Sequence, residues 1–389
     1  MNRIVVKLGG SVLAGIADAQ GILGLLGGYS EPLVVVVSAL KGVTDRLVTA
    51  FESAESEGFS DLLYEKHLAF LAAFEPPAQE LGTAAAALAE LRDELRQLLS
   101  SRCHVGDRRA RVLCAGERFS AICIRAAFSR LGRRAALLEP AEIGLRALGG
   151  EEDASADLEY AGPRLRASLA GVDVAVVPGF YGVGADGSVK LFGRGGSDYS
   201  AAVIAAGLRA ASCELVKDSA CIRTADPQLV PGTLHVERLS YREAADLAKG
   251  GARIIHPRAV QPLEAAKVPL RVIGSRRHGA ATLVGPSGSG SAPAARAIAL
   301  GRGPRGTARL TVAGEGSASR VAVAVLDALH ERGLDAKAFS AGGGGSSFRV
   351  LVEAACGPDA LRAAHEALFG PGSRDVGLDI SRRWAHEIR

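Results

Sequence analysis

Residues Gly193 to Ala210 read "GRGGSDYSAAVIAAGLRA": three glycines around one arginine, then Ser197 and Asp198 at the head of an alanine-rich helical pattern. A packing turn needs one or two glycines and no charged pair between them. Glycines at a helix start expose backbone N–H donors where the helix dipole attracts negative charge. Arg194 adds a planar fork that grips a carboxylate or phosphate through two parallel bonds. Plain capping by Ser197 or Asp198 is the simpler reading, but it leaves Arg194 without a purpose. The stretch therefore reads as an anion site at the start of a helix.

Outward from it, short β-branched runs alternate with longer helical patterns. "RIVVKL" from Arg3, "PLVVVVS" from Pro32, "VDVAVVPGF" from Val172, "CELVKD" from Cys213 and "VPLRVIG" from Val268 read as strands. Unbroken apolar runs suit strands covered on both faces, and helices between them argue for a mostly parallel sheet sandwiched by helices. Residues 45–101 carry no strand signal; Leu88, Leu91, Leu95 and Leu98 fall at helical spacing, which predicts a helical insertion that serves packing. The stretch "GPSGSGSAPAARAIALGRGPRG", residues 285–306, is rich in Gly, Ser, Pro and Arg and reads as a linker. It divides a first domain, 1–284, from a second, 307–389. The second reads βαββαβ: "ARLTVA" from Ala308, a helix over 318–332, a hairpin of "DAKAFSA" and "SFRVLVE", a helix over 358–369 and a last strand "RDVGLDI" from Arg374. That order is ferredoxin-like.

Composition narrows the function classes. The chain has 389 residues, a net charge of +4 and six cysteines. The charge is too diffuse for a nucleic-acid partner. The cysteines form no CxxC pair, so neither a disulfide framework nor a zinc site is expected, and a reducing cytoplasm fits. "MNRIVVKLGG" enters a strand pattern directly, with no signal peptide, and no apolar run is long enough for a membrane span. Eight lysines stand against thirty-eight arginines, so a lysine beside a glycine loop is informative.

One such lysine opens "KLGGS", Lys7 to Ser11, directly after the first strand. Glycine N–H groups there approach phosphate oxygens and the lysine adds a point charge; a plain strand-to-helix turn fits the spacing equally well. On this reading Lys7 is a loop residue outside the core. "GVGADG" from Gly182 and "GRGPRG" from Gly301 match GxGxxG by letter. Each precedes a strand pattern rather than a helix, so they read as a hairpin turn and a linker, not as dinucleotide loops. No Gly-Lys dipeptide occurs, which excludes a Walker loop. "VKDSACIRTADPQLVPGT" from Val216 follows a strand and holds an Asp-Pro turn, and in "GGARIIHPRAV" His256 reads as a helix-start residue.

Together these motifs resemble the aspartokinase family, within the amino-acid kinase fold and with an ACT-like C-terminal domain. "KLGGS", "VVVVSALKGVTDRLV", "CAGERFSA", "PGFYG…LFGRGGSDYSAA", "ADPQLVPGT" and "GGARIIHPRAV" stand in family order. The resemblance implies ATP-dependent phosphorylation of the β-carboxylate of L-aspartate, with magnesium, as the first step of aspartate-derived amino-acid synthesis. It gives Lys7, Gly9, Gly10 and Ser11 to the phosphates, Ser38 to the nucleotide side and Thr44 to the substrate side. Glu117 takes the aspartate ammonium, Arg194 grips a substrate carboxylate, and Gly195, Gly196, Ser197 and Asp198 complete that loop, Lys7 and Asp198 being the catalytic pair. Lys217, Asp218, Arg223, Asp226 and Arg253 line the nucleotide. The first loop departs from the usual Phe-Gly-Gly-Thr-Ser; Cys221 replaces a common glycine, Arg223 a tyrosine, Gln228 an arginine and Arg253 a lysine.

The chemistry agrees. A carboxylate acceptor is already ionised at pH 7 and needs no general base, so catalysis reduces to positioning and charge neutralisation. No protein-held metal is expected. A carboxylate kinase of the same fold acting on a related acidic amino acid, and a non-catalytic amino-acid sensor, are the alternatives. The family has two ACT modules where this chain shows one. A homodimer pairing through that module is expected, with the loop "GEGSAS" from Gly314 a place for an amino-acid effector.

Overall fold

The computed structural model describes residues 3–53, 58–101, 107–219, 221–252, 255–274, 279–286, 295–314, 318–341 and 347–371. In chain order the elements are β1 (Ile4–Leu8), α1 (Ala19–Gly27), β2 (Leu33–Val37), α2 (Val43–Glu52), α3 (Phe59–Ala72), α4 (Ala78–Ser100), α5 (Arg108–Arg130) and β3 (Ala135–Leu137). They continue with β4 (Ala147–Leu148), β5 (Ser155–Ala156), α6 (Leu158–Ser168), β6 (Val174–Pro178), β7 (Tyr181–Val183), β8 (Val189–Leu191), α7 (Gly196–Leu208) and β9 (Ser212–Val216). Then follow β10 (Arg238–Ser240), α8 (Tyr241–Gly250), α9 (Pro257–Ala266), β11 (Leu270–Ile273), β12 (Ala281–Gly285), β13 (Ala297–Arg302), β14 (Thr307–Ala313), α10 (Ala318–Glu331), β15 (Ala338–Ala341), β16 (Ser347–Glu353) and α11 (Gly357–Phe369). No described helix is long and apolar enough to cross a membrane. The chain forms two compact units, Met1–Ala220 with Pro262–Ala281, and Cys221–Gln261 with Thr282–Arg389.

In the first unit the strands run β11-β9-β1-β2-β6-β3, every neighbouring pair parallel. β1, β2, β6 and β9 are buried along their whole length, as expected of strands with helices on both faces. Side chains alternate across a strand. Val6, Leu8, Val35, Val37 and Val176 join α1 and α5 in one core, while Lys7 points to the other face and meets α7 through Asp198. The 45–101 stretch is helical as expected: α3 and α4 pack on α5, and Leu88, Leu91 and Leu95 are buried in the same core. "GVGADG" is the turn of the antiparallel hairpin β7–β8.

The second unit contains a four-stranded antiparallel sheet in the order β13-β14-β16-β15, with α10 and α11 in its core, and the parallel pair β10–β12. Two expectations are corrected here. Residues 285–306 are not a continuous linker, because Ala297–Arg302 forms β13, paired with β14 along its length. "GRGPRG" is consequently a second hairpin turn, with Arg305 and Gly306 both at positive φ. The boundary also differs: Cys221–Gln261 falls in the unit of the C-terminal sheet, because Ala225 and Val230 are buried in that sheet's core. The expected last strand from Arg374 lies outside the described residues, and β14 already has β13 on one side and β16 on the other.

Candidate active site

The C-terminal ends of the parallel strands are brought level by a ladder of backbone bonds. Ser38 N–H donates to Leu8 O at 3.1 Å, Gly179 N–H to Val37 O at 2.9 Å, and Lys217 N–H to Ile273 O at 2.9 Å. Loops leaving the carboxyl ends of an open parallel sheet are where α/β proteins bind ligands. Here Lys7 stands near the end of β1, and the loops carry the Gly9–Gly10 turn, Ser38, Arg194 and Lys217.

Asp198 is the centre. Its Oδ1 lies 2.7 Å from Lys7 Nζ and its Oδ2 accepts a bond from Lys217 Nζ at 2.9 Å. Lys7 lies on β1 and Lys217 directly after β9, and these strands are neighbours in register. Lys7 is only 5% exposed, so it is a buried strand residue and not the loop lysine its sequence context suggested. Burial alone would push the Asp198 carboxyl up, but the two ammoniums outweigh burial and hold it well below the usual carboxylate range. Burial lowers the Lys7 ammonium, with the Lys217 charge adding to that and Asp198 opposing it. The Lys7 ammonium turns back over the first glycine: a Cβ on Gly9 would lie 3.3 Å from Lys7 Nζ and 3.3 Å from Val216 O. A side chain at position 9 would crowd the space in front of the lysine.

α7 begins at Gly196 after Gly195, with no side-chain cap. Ser197 and Asp198 therefore do not cap the helix, and Asp198 is free to bridge the lysines. Gly193 and Gly195 sit at φ 71° and 68°, the left-handed region that favours glycine. They hold the exposed Arg194 between them. Gly196 is required by contact: its Cβ would meet the Phe180 ring at 2.8 Å. Phe180 itself has φ 81°, a conformation uncommon for a bulky residue and often found where a site stores strain.

Glu117 enters from the other side of the sheet on α5. Gly116 lets that helix press on the turn after β2, since a Cβ there would lie 2.7 Å from Ala39 Cβ and 2.9 Å from Val43 Cγ1. Glu117 is 3% exposed. Burial pushes its carboxyl up to about 8, although the Ala39 N–H and the Lys7 charge pull the other way. Among the described residues Glu117 Oε2 has no hydrogen-bond partner. A buried carboxylate oxygen without a donor carries a cost that a ligand cation would relieve. Thr44 is half-buried in the first turn of α2, Ser38 is buried at the end of β2, Gly10 is half-buried and Ser11 is exposed.

The remaining expected residues divide. Asp218 is exposed and accepts the Ser219 N–H. Arg223 and Asp226 belong to the second unit. Arg223 Nε donates to Thr233 Oγ1 at 2.6 Å, so its guanidinium is engaged within that unit. Asp226 is exposed and accepts the Gln228 N–H in a tight turn. Arg253 lies outside the described residues. His256 immediately precedes α9 and accepts the Ala259 N–H through its carbonyl, as expected of a helix start. Sequence reasoning paired Lys7 with Asp198 and gave Lys217 to the nucleotide; the scarcity of lysine was the available signal, whereas the union of both lysines through one carboxylate is a product of strand order.

Known proteins are consistent with this geometry. Residues 2–274 match the model of the amino acid kinase family. An Arabidopsis thaliana protein, aspartokinase 3 of the chloroplast, is 30% identical over 284 residues, 70% of this chain and 50% of its own. An aspartokinase of Corynebacterium glutamicum is 34% identical over 251 residues, 62% of this chain and 59% of its own. The chain thus spans under two thirds of the length of these relatives. Among solved structures, E. coli aspartokinase III, in complex with aspartate and ADP, superposes with a TM-score of 0.81 over 94% of this chain and 99% of that one, at 19% identity, a likeness of fold.

Proposed function

The chain belongs to the amino acid kinase family, and from that membership and the geometry of its first unit we propose that it is an aspartokinase, transferring the terminal phosphoryl group of ATP to the β-carboxylate of L-aspartate. The observation that carries this reading is the buried Lys7–Asp198–Lys217 cluster. Phosphoryl transfer to a carboxylate asks for fixed positive charge and little proton chemistry. Asp198, held as an anion, keeps two ammoniums at the strand ends where transferred phosphoryl oxygens gather charge. The N–H groups of Gly9 and Gly10, with Ser11, cradle the phosphates; Ser38 and Lys217 lie on the nucleotide side. Asp218 follows Lys217 on that side; for Arg223, Asp226 and Arg253 a nucleotide role rests on the family resemblance alone.

Aspartate is recognised at two of its three charges, the third being the acceptor carboxylate. Glu117 offers its unpartnered oxygen to the ammonium, Arg194 takes a carboxylate in its fork, and Gly195, Gly196, Ser197 and Thr44 supply the wall around it. Among the described residues no group of three or more His, Cys, Asp or Glu side chains could hold a metal, and both Asp198 oxygens face lysines. Magnesium enters this reading with the nucleotide, where it would neutralise the phosphates. The first unit does the chemistry, and the C-terminal sheet is the regulatory and dimerisation module, open to an amino-acid effector. Residues 315–317 of the expected effector loop lie outside the described residues. The edge strand β15 is exposed along its length, with Phe339 49% exposed, and a second copy of the chain would cover it.

A hydroxylamine trap tests the activity directly, because it converts an acyl phosphate to a hydroxamate. ATP-dependent hydroxamate from aspartate, and little from glutamate or N-acetylglutamate, is expected. Product from another acidic amino acid alone would assign a different carboxylate kinase. No product from any of them would leave a binding protein and overturn the catalytic reading.

A further inference from the structure

The buried body of α7 runs Ala201, Ala202, Val203, Ile204 and Ala205, yet the residue before that run, Ser200, is a serine and is fully buried. Alanine is the better helix former and needs no hydrogen-bond partner in such a place. The serine hydroxyl is employed on both sides. It donates to Gly196 O at 2.9 Å and accepts the Phe180 N–H at 3.0 Å. The first bond reaches back to the start of α7; the second crosses to the chain leaving β6.

Phe180 is the strained residue of that crossing. Its φ of 81° lies in the left-handed region, and a bulky residue stays there only where its surroundings over-determine it. Its carbonyl is fixed as well, accepting the Phe192 N–H at 2.8 Å. Packing leaves no slack between the two segments. A Cβ on Gly196 would lie 3.1 Å from Phe180 O, and one on Gly179 would lie 2.9 Å from Ser197 Cβ. Ser200 is thus a hydrogen-bonded tie across a contact that has no room for a methyl group. On the solvent side of the same turn stands Arg194, exposed and without an ion pair among the described residues.

We propose that Ser200 is a positioning residue for the acidic amino-acid substrate: it holds Phe180 in its left-handed backbone and so fixes the first turn of α7 and the Gly193–Gly196 loop that presents Arg194. The inference rests on the kinase reading above, which gives that loop its ligand. Asp198 lies in the same turn but is held independently by Lys7 and Lys217. Loss of the Ser200 tie therefore falls on substrate affinity and spares the lysine cluster.

The test uses the full-length chain with Ser200→Ala, Phe180→Gly and the double variant. Loss of one neutral hydrogen bond corresponds to about fivefold in affinity. Ser200→Ala should raise the KM for aspartate by about that factor, with kcat and ADP affinity by calorimetry within about twofold. Glycine adopts a left-handed backbone without strain, so Phe180→Gly should make the tie dispensable. In that background Ser200→Ala should change the aspartate KM by less than about twofold. The same loss in both backgrounds, equal losses for aspartate and ADP, or a lower melting temperature with an unchanged aspartate KM would overturn the proposal. Should Ser200→Ala fail to fold, Ser200→Cys, which keeps the size and weakens both bonds, must show the same split between aspartate and ADP, or the proposal fails. Wild-type protein that forms no hydroxamate from any acidic amino acid would overturn the kinase reading and this inference together; an active wild type whose aspartate KM is untouched by Ser200→Ala overturns this inference alone.

Discussion

Glu117→Gln should make the protein more stable and worse at its work. Glutamine keeps the shape of the side chain and one oxygen for the Ala39 N–H, but removes the titration. The wild-type carboxyl is pushed up to about 8 by burial, from an ordinary value of 4.5. The native state therefore holds a proton that the unfolded chain releases. This favours folding below about pH 4.5, and the advantage is lost as the pH rises towards 8. Each pH unit across that window is worth about 1.4 kcal/mol, for a total on the order of 5 kcal/mol if the group stays fully buried throughout. Melting temperatures of wild type and variant, measured without ligands from pH 5 to pH 8.5, should start close together and diverge, the variant melting higher at alkaline pH. The same variant should bind aspartate poorly, because an amide does not offer the ammonium a charge. Aspartate itself should stabilise wild type more at pH 8 than at pH 6, as the ammonium is best received by the ionised carboxylate. Parallel melting curves across the whole range would refute the claim that Glu117 is held protonated in the empty site.

Three further outcomes follow from the same geometry. Lys7→Ala should lower kcat by about a hundredfold or more, and because Lys7 is buried against Asp198 it should also lower the melting temperature; near-normal turnover in the hydroxamate assay would remove Lys7 from the chemistry. Arg194→Lys keeps the charge and loses the fork, so the KM for aspartate should rise several-fold while ADP affinity, measured by calorimetry, stays put; an unchanged aspartate KM would sink that assignment. Gly116→Ala forces a methyl to 2.7 Å from Ala39 Cβ, an overpacking cost of about 1–3 kcal/mol, and should raise the aspartate KM through the shifted Ala39 N–H; a variant with wild-type melting and kinetics would show that α5 gives way freely.

Much of this was legible in the sequence because local rules and the fold agree. Five apolar runs became five buried parallel strands, and glycine turns followed strands where ligands gather. The capping reading of Asp198 failed for a reason no local rule contains. Lys7 and Asp198 are distant in sequence, and only the pairing of β1 with β9 places Lys217 on the second oxygen.

The linker is the instructive misreading. Gly, Ser, Pro and Arg are the residues of flexible connections, yet "AIALGR" within that stretch carries Ile298 and Leu300, enough to make a strand once β14 offers backbone partners on one side. Strand propensity in so short a segment is decided by its neighbour more than by its own residues. The consequence reaches the Cys221–Gln261 stretch. Ile298 N–H bonds to Thr224 O, and Ala225 and Val230 share the core of α10, α11 and the sheet. A cut after Gly301 would part β13 from β14 and strip that core from the Cys221–Gln261 stretch. It would therefore unsettle the packing of that stretch along with any dimer contact, and a smaller or inactive fragment would not separate lost packing from lost assembly. Phe339→Asp on the exposed edge strand makes that separation: light scattering should report a smaller assembly while ADP affinity holds, and an unchanged assembly would move the dimer contact away from β15.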